Sequence, residues 1–101
     1  MKVGTGIGGW PSRAPAQARA AEETGFDYVT CGELSHDSML TMTLAATSTD
    51  RIGLQTSVTI AFPRSPMVLA MEAWDIQELS GGRFTLGLGR QVKGHNERRF
   101  G

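Results

Sequence analysis

The sequence predicts an α/β chain of the alternating kind, βαβαβαβ. Three observations carry this. Short runs rich in β-branched and aromatic residues recur along the chain; stretches with apolar residues at helical spacing separate them; and the connections between the two kinds of segment are only a few residues long. Such alternation predicts parallel strands joined by right-handed crossovers, with helices packed outside. Four parallel strands make either an open sheet or one half of an eight-stranded (β/α)8 barrel. A complete barrel takes roughly 250 residues, and this chain has 101. Residues 1–101 therefore read as one domain, expected to be a half-barrel or a fragment unless the sheet is small and open.

Each element follows from its residues. The first strand candidate is 2–8, KVGTGIG, with a Gly-Pro loop after it. Ser12 is the expected N-cap of a helix over 13–24, with Pro15 in its first turn and Gly25 as its C-cap. FDYVTC, 26–31, is the second strand. A polar loop, 32–37, leads to a helix near 38–49, capped by Asp37 or Ser35 and striped by Met39, Leu40, Met42 and Ala46. The third strand is 52–60, IGLQTSVTI. Pro66 opens a helix over 66–79, and Ser80-Gly81-Gly82 ends it ahead of a fourth strand at 83–89.

Composition narrows the class of function. Apolar residues are 40% and charged residues 20%, which suits a packed globule rather than a disordered chain. Ten basic residues balance ten acidic ones, a poor footprint for nucleic acid or an anionic membrane. Cys31 is the single cysteine, and no apolar run reaches the roughly 18 residues of a membrane helix, so a cytoplasmic location is expected. No ligand spacing suggests a metal, since His36 and His95 are the two histidines.

In parallel α/β folds, ligands meet the loops at the carboxyl ends of the strands. Gly4 to Gly9 match G-x-G-x-x-G, with Asp27 at about the distance of a ribose-binding acid, but only three residues precede the motif and Pro11 separates it from the helix. The plainer reading is a glycine-rich inner strand. Glu33 and His36 follow the second strand and are candidates for proton handling near neutral pH, against a plainer reading of His36 as a solvated loop residue. Ser57 and Thr59 bring hydroxyls to the end of the third strand, where they can bond the edge of a flat heterocycle, although threonine also simply favours strands. Gly87 and Gly89 lie where a backbone can approach a planar ligand, and Lys93, Arg98 and Arg99 add positive charge beyond them.

Four runs then carry a family resemblance: Phe62-Pro63-Arg64-Ser65-Pro66, Glu72-Ala73-Trp74-Asp75, Leu79-Ser80-Gly81-Gly82-Arg83-Phe84 and Leu86-Gly87-Leu88-Gly89. Together they resemble the luciferase-like monooxygenase superfamily. Glu33, His36-Asp37, Gln91-Val92-Lys93 and the stretch from Glu97 to Gly101 are similar to its branch that uses the deazaflavin coenzyme F(420). The resemblance covers essentially the whole chain but only the N-terminal half of a (β/α)8 TIM barrel. It implies an oxidoreductase that transfers a hydride between F(420), or alternatively FMN, and a small organic substrate. It also implies a bulge after the third strand, often with a non-prolyl cis peptide, backing the cofactor ring at Ser57-Val58 with Thr59 beside it. Gln91 is implied as a polar contact to the ring, Gly89 as its neighbour, and Glu33 or His36 as the group facing the reacting carbon. Family members commonly dimerise, so a homo-oligomer is expected through the 39–47 and 68–79 helices, or through open strand edges and inner-face apolar residues. The competing readings are a non-catalytic half-barrel assembly module and an FMN-dependent monooxygenase.

Overall fold

A computed structural model of the chain describes residues 1–33, 35–61 and 64–89. In chain order its elements are β1 (Gly4–Gly6), a 3-10 turn (Pro11–Arg13), α1 (Ala14–Thr24), β2 (Tyr28–Cys31), α2 (Ser38–Ser48), β3 (Gly53–Thr56), β4 (Thr59–Ile60), α3 (Pro66–Leu79), β5 (Phe84–Thr85) and β6 (Leu88–Gly89).

The main sheet is parallel throughout, in the order β1-β2-β3-β5. Strands added in sequence with no reversal build the wall of a barrel, whereas a doubly wound sheet reverses at its switch point. The helices confirm the wall. Successive strand residues face opposite ways, and the register places Val29, Leu54 and Phe84 on one face. All three are buried, against Ala18 and Ala21 of α1, Met39 and Met42 of α2, and Leu69 and Ile76 of α3. Each such side chain contributes about 1.5–3 kcal/mol by leaving water. All three helices therefore cover one face of the sheet.

The opposite face carries Gly4, Tyr28 and Gly53 at one level and Gly6, Thr30, Gln55 and Thr85 above it, each half-buried or exposed. The expectation of apolar residues on this inner face is corrected: it is lined by glycine, hydroxyl and amide groups. Gly4 is required there, because a Cβ on it would lie 2.2 Å from the Tyr28 ring. The dinucleotide reading of the glycine run also falls. Asp27 is at the amino end of the sheet, where its Oδ2 accepts from the Val3 N–H at 2.8 Å, far from any strand's carboxyl end.

Two further expectations are revised. Ser12 does not cap α1; it sits within the 3-10 turn, and Arg13 precedes the helix without a side-chain cap. The third and fourth strands are each broken in two. β4 and β6 form their own parallel ladder, pairing Thr59 with Leu88 and Ile60 with Gly89. At the break, the Thr56 hydroxyl accepts from the Gly87 N–H at 2.9 Å and donates to the Gly87 carbonyl at 3.0 Å. One side chain thus stands in for the missing ladder bonds. The other boundaries follow the sequence: Gly25 ends α1 at φ 102°, Asp37 caps α2, and Pro66 opens α3 behind a Ser65 cap.

The Leu79-to-Phe84 motif ties the opposite, amino end of the sheet. The Arg83 guanidinium donates to the carbonyls of Ala46 and Thr49 at the end of α2 and to that of Ile52 at the entry to β3. A cation is well placed against the unpaired carbonyls of a helix C-terminus. Among the described residues no helix is long and apolar enough to cross a membrane.

Candidate functional site

The carboxyl ends of the strands gather the Gly8–Trp10 loop, the 32–37 loop, the break at Ser57-Val58 and β6. The peptide between Ser57 and Val58 is cis, as the family resemblance implies for this position. Ser57 is exposed and its N–H donates to the Cys31 carbonyl at 2.8 Å, which draws the ends of β2 and β3 together. Val58 is half-buried and packs towards Gly89, where a Cβ would come within 2.6 Å of its Cγ2 atom. Gly89 is thus a glycine because Val58 occupies its side-chain space. Thr59 is fully buried: its hydroxyl lies 2.8 Å from the Ser38 hydroxyl and donates to the Met39 sulfur at 3.6 Å. It supports this shelf from beneath.

Glu33 is buried under the same shelf. Its Oε1 accepts from the Ile60 N–H at 2.7 Å and from Arg64 Nη1 at 2.6 Å; its Oε2 accepts from Arg64 Nη2 at 2.5 Å and from the Ser38 N–H and hydroxyl at 2.9 and 3.0 Å. Burial by itself pushes this carboxyl up. The Arg64 fork and the two backbone donors outweigh it and hold the group at about 2. Arg64 is pushed the other way, chiefly by its bond to Glu33. Its Nη2 also reaches Asp37 Oδ1 at 3.2 Å, while the same Oδ1 accepts from Met39 N–H at 2.7 Å to cap α2. Nearby Glu72 is raised, first by burial and then by the Asp37 charge.

His36 stands on the other side of the loop. Its ring lies 4.5 Å from that of Trp10, tilted by 42°. With Ile7, Gly8, Gly9, Cys31, Gly32, Ser35 and Thr41 it lines a cleft of about 440 Å³. The thiol of Cys31 is pushed up, first by burial, and so stays neutral in the cleft floor. The structure therefore separates the two proton-handling candidates: Glu33 is a locked carboxylate in an ion pair, and His36 borders an accessible cleft. Gln91, Lys93, Arg98 and Arg99 lie outside the described residues.

Sequence reasoning assigned no role to Arg64, Ser38 or Trp10. Arg64 and Glu33 are 31 positions apart, and no local spacing links them. The usable signal was an arginine set in a proline-bounded loop at a strand's carboxyl end. Trp10 could have been found as a large aromatic residue between Gly9 and Pro11 in a ligand-side loop.

The residues present fit the flat part of a flavin or deazaflavin. Gly6 and Gly8 have open space where a Cβ would project, Ser57 offers an exposed hydroxyl, and Val58 offers an apolar surface. Arg64 is committed to Glu33 and Asp37.

Comparison with known proteins bears on the same region. An uncharacterized protein of Mycobacterium tuberculosis is 43% identical over 100 residues, which cover 99% of this chain and 29% of the relative. A second protein of that organism, named as a candidate coenzyme F(420)-dependent oxidoreductase, is 38% identical over 94 residues, covering 88% of this chain and 27% of the relative. The solved structure of coenzyme F(420)-dependent tetrahydromethanopterin reductase from Methanopyrus kandleri superposes with a TM-score of 0.83 at 26% identity, covering 96% of this chain and 29% of that one. The chain thus spans under a third of the length of each of these three proteins. The family profile described as luciferase-like monooxygenase matches residues 3–101. With its sequential parallel wall, its helices on one face and its break after β3, the chain belongs to the luciferase-like monooxygenase family and forms part of that family's barrel.

Proposed function

We propose that the parent protein is an oxidoreductase that transfers a hydride between coenzyme F(420) and a small organic substrate, and that this chain supplies one wall of its site. The observation that carries the reading is the shelf at the end of β3, where Ser57 is exposed and Val58 half-buried at the carboxyl end of a sheet whose Gly6 and Gly8 each leave open space where a Cβ would project. The F(420)-dependent relatives, matched over most of this chain, support the choice of cofactor. When bound, the deazaflavin supplies the hydride chemistry.

This chain's own residues then have distinct tasks. Val58 offers the flat surface and Ser57 a hydrogen bond to a ring edge. Gly89 leaves room for Val58, and Thr59 holds the shelf in place. Glu33, kept ionised by Arg64, positions the ends of β2, β4 and α2 relative to one another. His36 is the group that gives or takes a proton, because its imidazole borders the cleft, whereas Glu33 is locked in its ion pair. The substrate is a small molecule, and a homo-oligomer forms through the exposed face of α3.

Titration of the chain with oxidised F(420) and with FMN, read by cofactor fluorescence, tests this. Saturable F(420) binding that Ser57→Trp abolishes is expected. Tighter binding of FMN would instead favour an FMN-dependent monooxygenase. Binding of neither would overturn the proposal in favour of a non-catalytic wall.

A further inference from the structure

Trp10 is 62% exposed, although tryptophan is among the largest apolar side chains and gains most from burial. Its position is nevertheless closely defined. The preceding Gly9 takes φ +85°, a left-handed conformation open to glycine without strain. The following Pro11 restricts Trp10 to extended backbone, and Trp10 lies there at φ −64°, ψ 134°. The Gln17 side chain clamps Gly8 on both sides, accepting from its N–H and donating to its carbonyl, each at 3.1 Å. The Trp10 carbonyl accepts from the Arg13 N–H at 2.9 Å. The loop therefore presents the indole through its backbone rather than by burying it; the indole follows Gly8 and Gly9 of the cleft lining in sequence and its ring meets that of His36, another lining residue.

The chemistry of that cleft is uniform. Ile7, Gly8, Gly9 and Gly32 supply apolar or backbone surface, and Ser35 and Thr41 supply hydroxyls. Among the described lining residues none carries a fixed charge. An ionic group entering this space would give up its hydration with only the His36 imidazole among the described lining residues as a possible charge partner, whereas a neutral flat group loses little and gains stacking.

We infer that this cleft is a substrate subsite for an uncharged, planar group, with Trp10 as the specificity-determining stacking surface and His36 at that group's polar edge. The inference rests on the proposed function only in calling the occupant a substrate; the subsite itself stands on the loop and cleft geometry.

The test is a chemical-shift titration of the isotope-labelled chain with three probes: benzamide (flat, neutral), cyclohexanecarboxamide (neutral, not flat) and benzoate (flat, charged). Trp74→Phe assigns the two indole signals. Benzamide is expected to shift the Trp10 indole N–H and the Gly8, Gly9 and Gly32 amides saturably, and to bind about five- to tenfold more tightly than either control. Trp10→Ala should weaken benzamide by a similar factor, while Trp10→Phe stays within about twofold of the parent. Equal affinity for the three probes, no saturable shift at Trp10, or unchanged binding by Trp10→Ala would each overturn the inference. A parallel F(420) titration reads the Ser57, Val58 and Gly89 amides. Loss of those shifts with the Trp10 response intact sinks the cofactor reading alone, and the converse sinks the subsite alone.

Discussion

Withdrawing the Glu33 carboxyl from water favours its neutral form, yet the Arg64 fork and the Ser38 and Ile60 N–H donors keep it ionised down to about 2. The sign of the linkage follows. The folded value lies below the unfolded one, near 4.3, so the stabilisation is fully present above the unfolded value and is lost as pH falls through the folded one. The difference corresponds to about 3 kcal/mol. Denaturant unfolding followed from pH 7 to 2 should show a loss of this order between about pH 5 and 2, and Glu33→Gln should flatten that slope. A variant with the parent's slope would remove Glu33 from the account. Arg64→Met should be the harsher change at neutral pH, because it leaves a buried carboxylate without its guanidinium, at about 3–5 kcal/mol.

At the scale of elements, the broken strands set the shape of the mouth. β4 and β6 pair apart from the main sheet, and they approach closely because residues 87 and 89 lack side chains. A Cβ at Gly87 would lie 2.2 Å from the Thr56 carbonyl oxygen, and one at Gly89 would lie 2.6 Å from Val58. The two differ in kind, since a backbone oxygen cannot yield and a valine can be trimmed. Gly89→Ala is therefore expected to destabilise by about 1–3 kcal/mol through overpacking, and Val58→Ala in the same chain should restore a good part of that. Additive losses in a double-mutant cycle would show that the two side chains do not compete for one space.

For the whole molecule, the exposed apolar surface is concentrated on α3. Met67, Met71 and Trp74 are 73%, 57% and 78% exposed, and with Ala70 and Asp75 they border a groove of about 520 Å³. The inner sheet face is polar, so α3 is the surface from which the proposed homo-oligomer gains most by leaving water. Sedimentation velocity should show a concentration-dependent associated species that Trp74→Glu shifts to monomer. A monomer at all concentrations would end that proposal, and association unaffected by Trp74→Glu would move the contact to the open strand edges.

Sequence alone determined what depends on neighbours a few residues away. The three helices, their Pro66 and Gly25 boundaries and the Asp37 cap follow from local backbone preference and short-range hydrogen bonding, and the alternation of helix with strand implied parallel strands, leaving open sheet and barrel wall to the family resemblance and the fold. The location of the shelf at Ser57-Val58 was legible too, through family resemblance rather than through spacing. Tertiary structure alone decided the rest. At the breaks after Thr56 and before Leu88 a threonine hydroxyl meets a glycine backbone 31 positions away, and the division of labour between Glu33 and His36 arises because Arg64 folds back onto Glu33. Such pairings depend on which segments the fold brings within hydrogen-bond distance, and no periodicity along the chain encodes that.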